Sequence, residues 1–179
     1  GNGLVAGAND LEGLIVDADT ANLRPITIDA GNIDIETNTA ANLSAAAYPA
    51  TFQTINSGTI NFIGPAIING NSVIQSAGGA GDTISIDTAN SNASPGFDLT
   101  LDSGSAGLTI GTIGTGVAND LINVFTATGG TINLAGSIFT GEDGAANVGN
   151  VDVNGAVVLT SAVTIDTTDA IGNRSVLNH

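Results

Sequence analysis

The chain has 179 residues and a formal net charge of −15, with only 2 Lys and Arg residues in total and no Cys. Because Lys and Arg neutralise phosphate charge, this balance argues against binding to nucleic acids or to anionic membrane surfaces. The lack of Cys excludes disulfides, thiol nucleophiles and cysteine-bound zinc. No apolar run is long enough to cross a bilayer, so we expect no membrane insertion.

Short groups of alternating aliphatic residues run along most of the chain. The first part of the chain, up to Pro25, is the least regular, with a strand indicated by Leu14 and Val16 and a break at Arg24-Pro25. From there on, apolar and polar residues alternate, which is typical of half-buried strands. Aromatic residues are only 3% of the chain, so its core must be aliphatic. In chain order, the groups before residue 130 are Ile26/Ile28, Ile33/Ile35, Ile60/Phe62, Ile84/Ile86, Phe97/Leu99/Leu101 and Leu108/Ile110/Ile113.

The segment Gly130–Ile165 shows the pattern most clearly. It contains three alternating pairs at regular intervals: Val151/Val153, Val157/Leu159 and Val163/Ile165. A helix would place apolar residues three and four apart, and hairpin strands are commonly about five or six residues long. Very short strands separated by tight bends indicate a chain that winds around its core. We therefore predict an all-β fold, a parallel β-helix (β-solenoid).

A degenerate repeat supports this fold. The segment Gly58–Gly64 (GTINFIG) matches Gly130–Gly136 (GTINLAG) at five of seven positions, and similar segments begin at Gly31 and Gly149. The steps between these four glycines are unequal, so the repeat has no strict period. With about 20–25 residues per coil, the long step from Gly58 to Gly130 holds about three coils and the chain about seven or eight. No linker interrupts the pattern, so residues 1–179 are predicted to form a single domain.

An antiparallel β-sandwich is the alternative fold. It predicts longer alternating strands and usually a Trp or Tyr landmark, whereas this chain has no Trp and 1 Tyr. The solenoid is therefore favoured. The absence of an initial Met and of a signal peptide predicts that the sequence is a fragment of a longer chain.

The closing segment resembles the degenerate repeats of very large bacterial secreted surface proteins. The resemblance lies in Gly155–Thr167 (GAVVLTSAVTIDT), which is followed by a Gly-Asn turn, and in GGTINLAG and SGTINFIG. The surface proteins with such repeats are the filamentous-haemagglutinin-like and autotransporter-type adhesins. The resemblance implies a right-handed parallel β-helix, export to the cell surface, and a role in adhesion or an extracellular matrix. It implies no catalytic residues.

Calcium is the candidate cofactor. Ca²⁺ prefers about six to eight oxygen ligands, several of them from carboxylates. The segment Gly78–Ile86 (GGAGDTISI) is similar to a calcium-binding nonapeptide, although it lacks one residue before Asp82 and does not recur in tandem. Asp82, Glu142 and Asp143 are the predicted ligands. The alternative is that these carboxylates only solvate the surface.

Catalysis is not expected. Carboxylate pairs such as Asp98/Asp102 or Asp152/Asp166 could cleave glycans if they converged. However, a lyase that acts on acidic sugars needs a cation, and a hydrolase usually needs aromatic platforms. The chain has no Lys and no Trp, so we predict a non-enzyme. A glycan-binding module remains the alternative function, and it would use a groove lined by acidic residues and by the sparse aromatic residues: Tyr48, Phe52, Phe62, Phe97, Phe125 and Phe139.

Self-association is the predicted partnership. The end of a solenoid exposes unpaired strand edges that can template further pairing. Neither end of the sequence has a capping pattern, which predicts either further coils of a longer chain or copies that stack into a filament. The sequence thus favours a non-catalytic structural segment of an extracellular adhesin, stalk or matrix filament at the bacterial cell surface, with host or matrix glycans as further candidate partners.

Overall fold

The fold consists of strands that pair in parallel. A computed structural model describes residues 13–43, 50–93, 96–115, 120–141 and 149–167, and these contain strands but no helix. The strands are β1 (Gly13–Leu23), β2 (Ile26–Ala30), β3 (Asn32–Leu43), β4 (Ala50–Ser57), β5 (Ile60–Ile68), β6 (Ser72–Gln75), β7 (Ile84–Ser91), β8 (Leu99–Asp102), β9 (Gly107–Ile113), β10 (Val124–Leu134), β11 (Ile138–Phe139), β12 (Asn150–Leu159) and β13 (Ile165–Asp166).

Each turn of the chain stacks on the previous one. The strand order is β1-β3-β5-β7-β9-β10 on one path and β2-β4-β6-β8-β10 on the other, and every described pairing is parallel. Equivalent positions in neighbouring layers are paired, and one stacked column runs through Ile33, Ile60, Ile84, Leu108, Ile132 and Val157. The described residues form a β-solenoid of about five such turns, preceded by the β1 layer.

Three pairing segments make up one turn. In the turn that begins at Ile60 they are residues 60–62, residues 65–68 and β6. We call the three stacks that continue them the first, second and third ladders. β5 runs through both of the first two segments, with a register shift between Phe62 and Pro65 at the bend. Strands are therefore longer than the very short strands that the sequence indicated, because the backbone stays paired around a corner.

The inward side chains of all three ladders form one aliphatic core. In the turn just described, Ile60, Phe62, Ala66, Ile68 and Ile74 are almost completely buried. The outward residues between them are more exposed, which gives the alternating burial of each strand. Burial of apolar area stabilises by roughly 25 cal/mol per Å², and in a solenoid the layers above and below provide that burial.

Glycine permits the close approach of turns at the corner between the third and first ladders. Gly58 has φ +134°, a conformation that L side chains rarely adopt. A Cβ atom at this position would lie 1.8 Å from the carbonyl oxygen of Gly31 in the preceding turn. The repeated glycine of the sequence pattern is therefore a packing requirement between turns.

The structure confirms the parallel solenoid and does not support the antiparallel sandwich. The long step from Gly58 to Gly130 does hold three turns, because the column beside it passes from Ile60 through Ile84 and Leu108 to Ile132. The coil count differs slightly from the predicted seven or eight, because the described part of the chain forms about five turns. Residues 1–12 and 168–179 lie outside the described part.

One predicted repeat is out of phase with the others. The segments that begin at Gly31, Gly58 and Gly130 lie on the first ladder, whereas the segment after Gly149 lies on the third ladder. The step from Gly130 to Gly149 therefore joins different sides of the solenoid. The three alternating pairs after residue 150 do represent successive sides, because Val153, Val157 and Ile165 lie on the third, first and second ladders.

Candidate functional site

Asp82, the first predicted calcium ligand, lies at the end of the turn that leads into β7. Its Oδ1 accepts a hydrogen bond of 2.9 Å from the backbone N–H of Gly58, and its Oδ2 accepts one of 2.8 Å from the N–H of Gly79. Its backbone carbonyl also accepts a hydrogen bond from the Ser76 hydroxyl. The residue is buried. Asp82 therefore closes its own turn and joins it to the turn before, through hydrogen bonds that its negative charge strengthens.

The other two predicted ligands, Glu142 and Asp143, lie outside the described residues. Within the described part of the chain, no three His, Cys, Asp or Glu side chains come together as a metal site. The calcium site therefore stays a prediction.

Several other carboxylates bond to amides one turn away. Asp98 is the clearest case, because Asn71 lies in the turn before it and Asn123 in the turn after it. The Nδ2 of Asn71 donates to Asp98 Oδ2 at 3.3 Å, and the Nδ2 of Asn123 donates to Asp98 Oδ1 at 2.9 Å. The N–H of Asp98 in turn donates to Asn71 Oδ1 at 3.1 Å. We call these three residues the amide column.

Similar bonds occur elsewhere on the surface. Asn61 donates to Asp34 at 2.6 Å, Asn56 donates to Asp29 at 2.6 Å, and Gln75 donates to Asp102 at 3.3 Å. Each donor lies 27 residues from its acceptor, so these bonds connect neighbouring layers. The sequence analysis treated these carboxylates as surface charge and missed their bonds between layers. The step from Gly31 to Gly58 is also 27 residues long, so it could have indicated which residues lie one turn apart.

The members of each carboxylate pair considered for glycan cleavage lie at different places on the solenoid. Asp98 and Asp102 bond to different partners at the two ends of β8, since Asp102 accepts from Gln75 and from the N–H of Gly104. Asp152 lies on the third ladder and Asp166 on the second.

The aromatic residues lie mainly in the core. Phe52, Phe62 and Phe125 are completely buried, and the rings of Phe52 and Phe62 meet edge to face with centroids 6.0 Å apart. Phe97 and Phe139 are half-buried, and Tyr48 lies outside the described residues. A sugar ring needs an exposed aromatic face, so the three buried rings cannot serve as a platform.

An open groove of about 540 Å³ lies beside the first two layers. Glycines, Ile15, Asn32 and Asp34 line it. Asn32 and Asp34 already take part in bonds to the next layer, as acceptors from the N–H of Thr59 and from Asn61. The groove thus offers one exposed apolar side chain beside two polar residues that already bond to the next layer.

Apolar side chains are exposed mainly at the two outermost layers. The last layer exposes Val157, Val158 and Leu159 in succession, and the first layer exposes Ile15 at 81% of its surface. The other large exposed aliphatic residues are Ile55, Ile63 and Ile165. The end strands are therefore the least covered part of the described solenoid.

No helix in the described ranges is long and apolar enough to span a bilayer.

Comparison of the chain with protein-family models, with curated proteins and with solved structures found no match.

Proposed function

We propose that this chain is a non-catalytic structural segment of an extracellular adhesin, stalk or matrix filament at the bacterial cell surface, and that it self-associates through its ends. The observation that carries the proposal is the continuous stack of parallel turns around an aliphatic core. Such a stack extends in one direction by adding equivalent layers, so it suits a spacer or filament.

The polar surface supports a structural role. Surface carboxylates bond to amides in the adjoining layers, as Asp34 does to Asn61 and Asp98 does to the amides of Asn71 and Asn123. Each such bond ties one turn to the next. The acidic residues thus keep the surface soluble and reinforce the stacking.

The composition also suits an exposed location. The chain is rich in Thr, Ser and Asn, carries a net charge of −15, and has no Cys that oxidation could damage. The likeness of Gly155–Thr167 to bacterial surface-protein repeats points the same way. Glycan binding is the weaker candidate, because three of the six aromatic side chains are completely buried.

Antibody labelling of the source cells tests the location. We expect antibodies against the folded chain to label intact cells, and we expect external protease to remove the label. A cytosolic protein detected in parallel should appear only after permeabilisation. Labelling of this chain that also requires permeabilisation would contradict an extracellular role.

A glycan array and a reducing-end assay test the functional class. A structural segment should release no sugar from acidic or neutral polysaccharides, and the Asp98→Asn variant should behave in the same way as the unmodified chain. Sugar release that is lost in Asp98→Asn would instead show an enzyme. Saturable binding to one glycan, without release, would favour the glycan-binding alternative.

A further inference from the structure

Among the described pairings, the strands with a single partner lie at the two ends of the stack, and they are β1, β2, β12 and β13. β1 pairs with β3, and β12 pairs with β10. Their other sides face opposite directions along the stack, because every described pairing is parallel and the layers follow one another in order. Where such an edge is free, it can accept a strand that continues the stack in the same direction.

The outward column of the first ladder changes character at its two ends. Its five inner positions are polar and its two outermost positions are apolar. The column runs Ile15, Asp34, Asn61, Ser85, Thr109, Asn133 and Val158. Ile15 is 81% exposed and Val158 is 45% exposed. A column that faces only solvent gains nothing from apolar residues at its two ends. A column that continues into a second copy would bury those residues in the contact between the copies.

The inward residues have the same complementarity. On the last layer, Val157 is 48% exposed and Leu159 is 61% exposed. On the first layer, the equivalent residues Leu14 and Val16 are half-buried and pack against the core cluster. Laying the first layer of one copy on the last layer of another would place Val157 against Leu14 and Leu159 against Val16.

We propose that copies of this chain associate head to tail, with β12 of one copy paired in parallel to β1 of the next and Val158 lying beside Ile15. The proposal rests on the self-association under Proposed function and specifies its interface. The same register places Ile165 over Ala21 on the second ladder, since the column there runs from Ala21 to Ile165.

Electrostatics shape the assembly. Two copies that each carry −15 repel one another at long range, and salt screens that repulsion. At the interface the proposed register places Thr160 beside Asp17, so this carboxylate of β1 does not meet another there.

Because the two contacting surfaces differ, each added copy presents a new free end, and the association is open rather than closed.

Sedimentation velocity over a range of protein and salt concentrations tests the interface. We expect a series of oligomers that grows with protein concentration and with added NaCl. Val158→Asp and Ile15→Asp should each weaken association by about tenfold or more, because a charge would lie in an apolar contact. The matched control is Ile63→Asp, since Ile63 is outward-facing and 49% exposed but lies in a middle layer. It should leave association unchanged.

A charge pair tests the register. The double variant Ile15→Lys with Val158→Asp places opposite charges beside each other across the proposed interface, so it should associate more strongly than Val158→Asp alone. Circular dichroism confirms that each variant is folded, as expected for substitutions at exposed positions.

Three outcomes would overturn the proposal. The first is a monomer at every protein and salt concentration, and the second is a closed dimer with no larger species. The third is an equal loss of association in Ile63→Asp and Val158→Asp. Cell-surface labelling is a separate measurement, so a monomeric chain that labels intact cells would refute this interface and leave the structural role intact.

Discussion

β5 and β12 share an alternating aliphatic pattern but differ in how well the stack covers them. In β5 the inward residues Ile60, Phe62 and Ile68 are at most 1% exposed, because β3 and β7 pair on its two sides. In β12 the equivalent residues Val157 and Leu159 are about half exposed, because β10 pairs on one side only. The alternation decides which residues point inward, and the number of neighbouring layers decides how much area they bury.

This comparison separates two contributions to stability. A residue in a middle layer loses contacts with two neighbours when it is truncated, whereas a residue in the last layer loses contacts with one. The same reasoning applies to glycines and carboxylates at corners, where the adjacent turn decides whether a substitution is tolerated.

The largest expected effect comes from truncating the same residue type in adjacent layers. Leu134 and Leu159 occupy one inward column, and Leu134 is 1% exposed. Leu134→Ala should lower the free energy of unfolding by about 2–5 kcal/mol, because it leaves a cavity between two layers. Leu159→Ala should lower it by less than about 1 kcal/mol. Urea denaturation at low protein concentration measures both, and equal losses would contradict the comparison.

A glycine pair gives the next largest effect. Gly58→Ala places a Cβ 1.8 Å from the Gly31 carbonyl oxygen and requires an Ala at φ +134°. It should therefore lower the free energy of unfolding by about 1–3 kcal/mol. Gly81→Ala is the matched control, since no atom beyond Gly81 and its two chain neighbours lies within 4 Å of the Cβ that it would add. Thermal unfolding should show a clearly lower Tm for the first variant and little change for the second. A tolerated Gly58→Ala would mean that the turns are not in the contact described.

The smallest effect in this series distinguishes a buried carboxylate from an exposed one. Asp82→Ala leaves the N–H groups of Gly58 and Gly79 without their acceptor, so it should cost about 1–3 kcal/mol. Asp87 accepts one bond of 3.1 Å from the N–H of Gly64 and is exposed, so Asp87→Ala should cost about 0.5 kcal/mol. Chemical denaturation compares the two variants, and equal costs would mean that the burial of Asp82 adds nothing.

The same two variants test the calcium prediction. If Asp82 were a ligand, Ca²⁺ would raise the Tm of the unmodified chain and of Asp87→Ala, and Asp82→Ala would lose that rise. If Asp82 acts only through its hydrogen bonds, Ca²⁺ would leave the difference between the two variants unchanged. Mg²⁺ at the same ionic strength controls for general screening.

The candidate site was less predictable than the fold. Asp82 was identified from its glycine-rich surroundings, but the two donors to its carboxylate include Gly58 in the preceding turn, which no local pattern indicates. The amide column has the same character, because its members are 25 and 27 residues apart. The apolar residues Ile15 and Val158 each look like an isolated surface residue until the register places both in one column.

The sequence by itself determined the two faces of the strands, the aliphatic core and the parallel winding, because alternation and glycine spacing are local properties of the backbone and side chains. The inward direction of Ile33, Ile84 and Val157 follows from that alternation alone. Only the tertiary structure decided where each strand bends and ends, the phase of the segment after Gly149, and the partners of Asp82 and Asp98. These depend on which residues stack across a full turn, and that register is set by the packing of the three ladders together.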